Sequence, residues 1–578
     1  MTAEPEPSGV APTGPKVTSP PAELRTRWIQ AAYAAAVAEG RYEAPTARLS
    51  SPRARLYRDG RLTLLAPFFD YAFYAHENPD FGATGLDELE HFDFFGWRRL
   101  RNPAPWFDTG YYLASNPDVL ASGDNPFWHY ILKGRAEGRA TRRPRAAERA
   151  VLDALAPPEA RVHAAPGAAG WPRLSADALA ERLGAAAARA RGLVVSVAHI
   201  GIDPAPRPLW ATEALAFAAA GFLHLQTSPL RGPQALRSMP PVWAETLVAL
   251  DGETLGVAAD AALAKAVAMI GEALPPRRAL IARGVLGASV DGLIALDAAL
   301  KPDKRLLWLN DFSTLCPSPR LLRNDVAFCG APPPDSQACG ICVYGEARRA
   351  HLAALRRLME RCPFTVVAPS QSALDLWRAA AEWPHAQALV APPAALDGPE
   401  TAEAAEEGEI GTERRPARVA FVGSPLLANG WLAYARVLES CGALAAYAFH
   451  HVARAEDLRP SRDLQSVDAG PSLRERLAEL RIDLVVAASE GPETFAWSAM
   501  EALAAGCDLL ALRHSGHAAE MVETERRGCA FETDDGLLEF FASGKAVAYA
   551  RERARFPRHR RDLTVGAASA ALIGVEDA

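Results

Sequence analysis

The stretch IDLVVAASEGPETFAWSAMEALAAGCDLLAL (482–512) decides the fold. It opens with an apolar, β-branched run, passes a Gly-Pro loop, continues with apolar residues at helical spacing, and closes on a second apolar run after Gly506. That order reads as strand, loop, helix and strand, the unit of a parallel sheet with helices on its faces. Glu493 falls in the loop or the first helical turn. Glu501 lies eight residues on, about two helical turns deeper, and Gly506 ends the helix. A helix start at the carboxyl edge of such a sheet offers free N–H groups and the positive end of a dipole, which suits a diphosphate. Two carboxylates beside it would repel that group. They suit instead the hydroxyls on either side of it, a ribose and a sugar.

The same texture extends in both directions. RVAFVGS (418–424), ALAAYAFHH (443–451), CDLLALRH (507–514) and CAFET (529–533) complete one alternating series, assigned to a domain over 417–578. LVVSVAHI (193–200), RALIARGVL (278–286), RLLWLND (305–311) and FTVVAPS (364–370), separated by Ala-rich helical segments, form an earlier one over 191–397. An acidic, Gly-interrupted linker over 398–416 separates them. Two doubly wound α/β domains in tandem place a ligand cleft between them, at the carboxyl ends of the strands.

The first part of the chain differs. Residues 1–22 read as a disordered tail rich in Pro, and 24–40 as a helix ending at Gly40. Phe69-Asp70, Tyr74, Asn78-Pro79-Asp80, Gly85, His91 and Gly96 then recur as Phe107-Asp108, Tyr112, Asn116-Pro117-Asp118, Gly123, His129 and Gly134, every pair 38 residues apart. Each Asn-Pro-Asp reads as a turn and helix start, with Asn or Asp as cap and Pro at the first helical position. The aromatics at 69, 73, 74, 92, 94, 95 and 97 read as the buried faces of short helices, and so do those at 107, 111, 112, 127, 128 and 130. The expectation is one all-α repeat module over 23–143, followed by a linker with one helix over 144–190.

Composition bounds the function. Net charge is −7 with no basic block, which excludes a protein that grips nucleic acid through its phosphates. The most apolar window, 279–300, is broken by Arg283, Asp291 and Asp297, so no membrane span is expected. The Pro- and Glu-rich start does not read as a secretory leader. Cys316, Cys329, Cys339 and Cys342 are spaced C-x12-C-x9-C-x2-C in a long Pro-rich loop, which in a reducing compartment points to a structural Zn²⁺ site. The other four cysteines read as buried core residues.

GPETFAWSAMEALAAGCDLLAL resembles the E-x7-E region of GT-B-fold, family-4-type retaining glycosyltransferases. The resemblance implies that Glu501 binds the nucleotide ribose and that Glu493 contacts the donor sugar near the reacting centre. It implies loop contacts from Thr494 and Phe495. FVGSPLLANGW (421–431) resembles the family's glycine-rich turn, with Gly423, Ser424 and Gly430 near the phosphates and Asn429 where the family carries Lys. The stretch over 309–342 resembles an Asp-aromatic, Cys-Pro, Cys-Gly, C-x2-C subgroup of bacterial polysaccharide glycosyltransferases, with Asn310 in place of a His. Asp311 becomes a candidate cleft residue. Asn310 and His199, at the end of the first strand, face the acceptor side.

The resemblance implies two Rossmann-like domains facing a cleft, and transfer of a sugar from a nucleotide diphosphate sugar to a glycan, lipid-linked or protein acceptor. It implies retention of configuration, no divalent cation at the phosphates, and a cytoplasmic place, peripheral to the inner face of the membrane. Asn310 and Asn429 leave open a second reading, a weakened nucleotide-sugar or glycan-binding scaffold. In that reading a protein partner docks through residues 67–143.

Overall fold

The computed structural model describes residues 60–164, 170–198, 208–232, 244–340, 342–403, 410–412 and 415–575. The expected tail over 1–22, the helix over 24–40 and His199 lie outside the described residues. The chain divides after Pro144 into two compact units.

In the first unit, residues 38 apart occupy equivalent places. Asp70 caps the helix Tyr71–Glu77 by accepting from Phe73 N at 2.9 Å, and Asp108 caps Thr109–Ser115 through Tyr111 N at 2.8 Å. Asn78 and Asn116 are not the capping acceptors expected. Their side-chain amides donate back to the carbonyls of Tyr74 and Tyr112, at 2.9 and 2.8 Å, and so close the preceding helix. Tyr74 Oη lies 2.8 Å from His91 Nδ1, and Tyr112 Oη 2.9 Å from His129 Nδ1. Burial holds both imidazoles below their usual pKa, so each neutral ring is assigned as the acceptor from the tyrosine hydroxyl. Gly96 and Gly134 pack against those hydroxyls so closely that a Cβ would overlap them. Asp80 and Asp118 pair with Arg101 and Arg139, each 21 residues further on. Phe69, Tyr74, Phe92, Trp97, Phe107, Tyr112 and Phe127 share one core, whereas Phe95, expected inside, is exposed.

The second unit holds two sheets. The first contains β1 (Gly192–Val197), β2 (Phe222–Pro229), β3 (Glu245–Leu250), β4 (Glu253–Ala259), β5 (Arg277–Ala282), β6 (Lys304–Trp308), β7 (Thr365–Ala368) and β8 (Gln387–Val390), in the spatial order β8-β7-β6-β5-β1-β2-β3-β4. β8 through β2 run parallel, while β3 and β4 form an antiparallel edge. β1 is buried along its whole length, as a strand covered on both faces must be. The helix Ala176–Ala187 falls within the expected linker over 144–190, yet it sends Leu179 and Leu183 into the core of this lobe.

After β9 (Ala394–Glu403), the second sheet contains β10 (Ala417–Val422), β11 (Tyr447–Ala453), β12 (Leu464–Asp468), β13 (Leu484–Ala487), β14 (Asp508–Leu512) and β15 (Gly528–Phe531). Its order is β12-β11-β10-β13-β14-β15, all parallel. This is the dinucleotide-fold order with its direction reversing between β10 and β13, where such sheets open a crevice at their carboxyl ends.

Two expected boundaries shift. β9 runs through residues assigned to the acidic linker over 398–416, and pairs antiparallel with β16 (Arg558–Val565). The end of the chain, assigned to the second domain, packs on the first sheet. Ser569 N donates to Glu213 Oε1 at 2.8 Å, Trp308 Nε1 donates to Ser569 Oγ at 3.0 Å, and Ala570 and Ile573 join Val194 and Phe217 in one cluster. A strand pair and a returning helix therefore join the lobes, a tertiary arrangement that local sequence texture does not encode. The result is the GT-B architecture, two Rossmann-like lobes whose carboxyl edges meet at one cleft.

Candidate active site in the interlobe cleft

The cleft between the lobes encloses a cavity of about 960 Å³. Its floor is the β10/β13 switch point, and its opposite wall is the residues that follow β6. The loop after β13 enters the cavity because its backbone is tied down on both sides. Ser515 Oγ donates to Ser489 O at 2.9 Å, Glu493 N to Ser515 O at 3.1 Å, and His517 N to Glu493 O at 2.9 Å. His517 then accepts from Ala496 N through Nδ1 at 3.1 Å and stacks on Phe495 with ring centroids 4.6 Å apart. Burial lowers His517 to about 4, so the ring is neutral and able to accept. The helix Trp497–Ala504 starts only after this loop and ends before Gly506, whose φ of 83° requires a residue without a Cβ.

Glu493 and Glu501 both line the cavity, together with Thr494, Phe495, Gly423, Asn310 and Asp311. Protein surrounds Glu493 on most sides and pushes its carboxyl up to about 7, against a smaller downward pull from Arg320. Burial also raises Glu501, opposed by Arg474. Gly423 takes φ 96°, and the space where its Cβ would stand is empty, so backbone faces the cavity there. Thr494 Oγ1 donates to the Asn310 carbonyl at 2.7 Å, which latches one lobe to the other beside the two glutamates. The Asn310 amide is occupied by Arg283 O at 2.9 Å, and Asp311 Oδ1 accepts from Ser313 N at 2.7 Å.

Three expected donor-site residues do not line the cavity. Ser424 Oγ donates to Asp457 Oδ2 at 2.6 Å. Asn429 Nδ2 donates to Ser424 O at 2.9 Å. Gly430, at φ 89°, packs against the Ala488–Ser489 backbone, so its missing Cβ admits protein rather than ligand. These residues shape the turn that carries Gly423.

The cysteines form no metal cage. Among the described residues no group of three or more His, Cys, Asp or Glu side chains is arranged to hold a metal ion. The buried Arg348 guanidinium donates to Cys339 Sγ at 2.9 Å, to Pro332 O at 2.7 Å and to Leu315 O at 2.9 Å. Burial raises the Cys316 thiol to about 12 and also raises Cys329 and Cys342, against a smaller downward pull on Cys316 and Cys329 from Arg348. Arg348 thereby ties the Cys-rich loop to the helix Gly345–Arg361.

Sequence reading missed Arg320, Arg454, Arg474 and Trp497, all of which line the cavity. Arg474 Nη1 pairs with Asp562 Oδ1 at 2.6 Å. Arg320 Nη1 donates to Asn429 Oδ1 at 2.6 Å, across the cleft. The arginine directly after the Cys-Pro-Ser-Pro segment was the available signal, since that rigid stretch has little reason to end in a long cation.

No protein-family model and no curated protein sequence matches the chain. Among solved structures, HepE of Anabaena in complex with UDP is 12% identical, with a TM-score of 0.35 over 63% of this chain and 93% of that one. Sucrose-phosphate synthase of Thermosynechococcus elongatus is 13% identical, with a TM-score of 0.36 over 63% and 94%. The spinosyn rhamnosyltransferase SpnG is 15% identical, with a TM-score of 0.31 over 67% and 100%. At these values the likeness assigns no residue and no activity. Among the described residues no helix is long and apolar enough to cross a membrane.

Proposed function

We propose that the chain is a glycosyltransferase that moves a sugar from a nucleotide diphosphate sugar to a hydroxyl of a glycan, lipid-linked or protein acceptor. One observation carries the reading. Two carboxyls eight residues apart converge with exposed glycine backbone on a cavity at the sheet's switch point. In this reading Glu501 holds the ribose, Glu493 holds a hydroxyl of the donor sugar, and Gly423 admits the diphosphate to the backbone. A sugar hydroxyl can bond to a neutral or an ionised carboxyl, so the raised Glu493 suits this role better than that of a strong base.

The transfer breaks the bond from the anomeric carbon to the diphosphate oxygen, and the electron pair stays on that oxygen. The acceptor oxygen forms the new bond and passes its proton to the departing diphosphate. Delivery on the same face gives retention, in keeping with the family resemblance. Surface-glycan or glycoconjugate assembly at the inner face of the membrane, without a catalytic divalent cation, is the setting we propose. In the alternative reading, a nucleotide-sugar or glycan-binding scaffold, residues 67–143 recruit a protein partner.

Thermal shift and titration calorimetry with UDP, ADP, GDP and their sugars test the reading. At least one should bind. Glu501→Ala should weaken that binding about tenfold, the loss of one or two hydrogen bonds. Glu493→Ala should slow transfer more than it weakens binding. Full activity in either variant refutes the assigned roles.

A further inference from the structure

We propose that Arg320, carried by the first lobe, is the cation that meets the donor diphosphate across the cleft; the inference rests on the glycosyl-transfer reading above. The chemistry of the cavity calls for such a group. Its lining includes Asp311, Glu493, Glu501 and Asp562 as acids, against Arg320, Arg454 and Arg474. Arg474 is committed to Asp562. Arg320 makes no ion pair among the described residues, and its hydrogen bond goes to the neutral Asn429 amide, leaving donors of its fork for an anion. A guanidinium presents a planar set of donors that matches phosphate oxygens in pairs.

The backbone beneath Arg320 is fixed while its side chain is exposed. Phe312 N donates to Pro319 O at 2.9 Å, and Cys329 N to Leu321 O at 2.9 Å. Ser318 Oγ bridges the backbone N and O of Leu322 at 3.1 Å each. Leu321 is held at φ 54°, a left-handed conformation that costs a branched residue energy and persists only where neighbours enforce it. From the other lobe Gly491 packs onto the Arg320 carbonyl, where a Cβ would collide with it. The Cys-rich loop, tied by Arg348 at its centre, is thus a rigid mount that projects the Arg320 guanidinium to the turn bearing Gly423. The charge reaches the site only when the lobes meet, so binding of the diphosphate and closure of the cleft favour each other.

As the bond from the anomeric carbon to the diphosphate oxygen breaks, negative charge gathers on that oxygen. A preorganised guanidinium there stabilises the change more than it stabilises the bound donor. Arg454, which follows the end of β11, lines the same cavity, but only Arg320 of the two bonds to Asn429 among the described residues.

Calorimetry on the full chain with UDP, ADP and GDP and the matching nucleosides tests the assignment. For whichever diphosphate binds, Arg320→Gln should lower its affinity about 10- to 100-fold, the worth of a charge-assisted pair, and leave nucleoside affinity unchanged. Arg320→Lys should retain more of it. Adding Asn429→Lys to Arg320→Gln should recover part of the loss, because it returns a cation to the same turn. If wild type binds a diphosphate and Arg320→Gln binds it equally well, the assignment is wrong and the glycosyl-transfer reading stands. Equal losses for diphosphate and nucleoside also overturn it, since they mark a general change in the pocket. If wild type binds none of the three diphosphates, both readings fall.

Discussion

Replacing Glu493 by Gln removes a carboxyl that the fold holds at about 7, against an ordinary value of 4.5. The sign follows from proton counting. Between these two values the folded chain binds a proton that the unfolded chain releases, so stability falls as pH rises. The carboxyl costs little below the lower value and reaches its full cost above the upper one. Taking the two values as they stand, the cost grows by about 2 to 3 kcal/mol between pH 5 and pH 8. Glu493→Gln keeps the shape and removes the charge. Its stability relative to wild type should therefore rise by that amount over the interval, with little difference at pH 5. Urea unfolding followed by tryptophan fluorescence at both pH values measures it, because the change between two pH values in one transition tolerates a lobed architecture better than an absolute value does. A difference between variant and wild type that stays flat from pH 5 to pH 8 would refute the reasoning. It would mean that the cleft solvates Glu493 as water does. Arg320 supplies the internal control. It pulls the carboxyl down, so the pH-dependent penalty should be larger in Arg320→Gln.

Other consequences concern the scaffold. In the helical unit Gly134→Ala should destabilise by about 2 kcal/mol through overlap with the Tyr112 hydroxyl. Adding Tyr112→Phe should restore part of that, a coupling that hydrogen exchange over residues 109–134 reads directly. Asp508 accepts from Arg527, Arg553 and Tyr549 at 2.7, 2.8 and 2.9 Å. Asp508→Asn strands two arginines at the amino edge of the second sheet and should cost about 3 to 5 kcal/mol in urea unfolding. Elemental analysis of purified protein checks the zinc expected from the four-cysteine spacing: about one zinc per chain supports it, and less than about half a zinc refutes it.

The parts of the fold that were legible in the sequence are those in which a short segment states its own structure. β13, its loop and its helix are one continuous signal, but Glu493 precedes the helix Trp497–Ala504, and its place relative to Glu501 depends on the loop's bonds to Ser515 and His517, which the spacing does not state. The edge strands β3 and β4 were legible and overlooked: Asp251-Gly252 between two apolar runs is a hairpin signal, and φ values of 47° and 87° show the turn it makes. Other features had no local signal. That Glu213 waits for Ser569 N, 356 residues along the chain, follows from packing and not from either neighbourhood. The turn residues Asn429 and Gly430 were read by analogy as ligand contacts, but a left-handed glycine serves equally where another backbone presses in, and here Ala488 does. The cysteines had a partner that their spacing does not reveal. Spacing reports which thiols can approach one another, but not that Arg348, from the helix Gly345–Arg361, donates to Cys339 Sγ.

Arg320 and Glu493 resolve a conflict that the sequence alone poses. Two glutamates and a diphosphate at one helix start are mutually repulsive if all are charged, and no lysine stands in the glycine turn to offset them. The cleft reduces the repulsion from both sides. Burial raises Glu493 to about 7, so near neutral pH part of the population keeps a proton that can be donated to a sugar hydroxyl. Arg320 enters from the opposite lobe, where it is near enough to lower Glu493 but is bonded to Asn429 rather than to the carboxylate. Had the guanidinium paired with Glu493, each would have neutralised the other and neither would be available to a donor. In the proposed reading, keeping them apart leaves one acid for hydroxyls and one cation for phosphate. In the same reading, that division lets a negatively charged chain hold an anionic donor, because local placement of one arginine outweighs the sign of the whole.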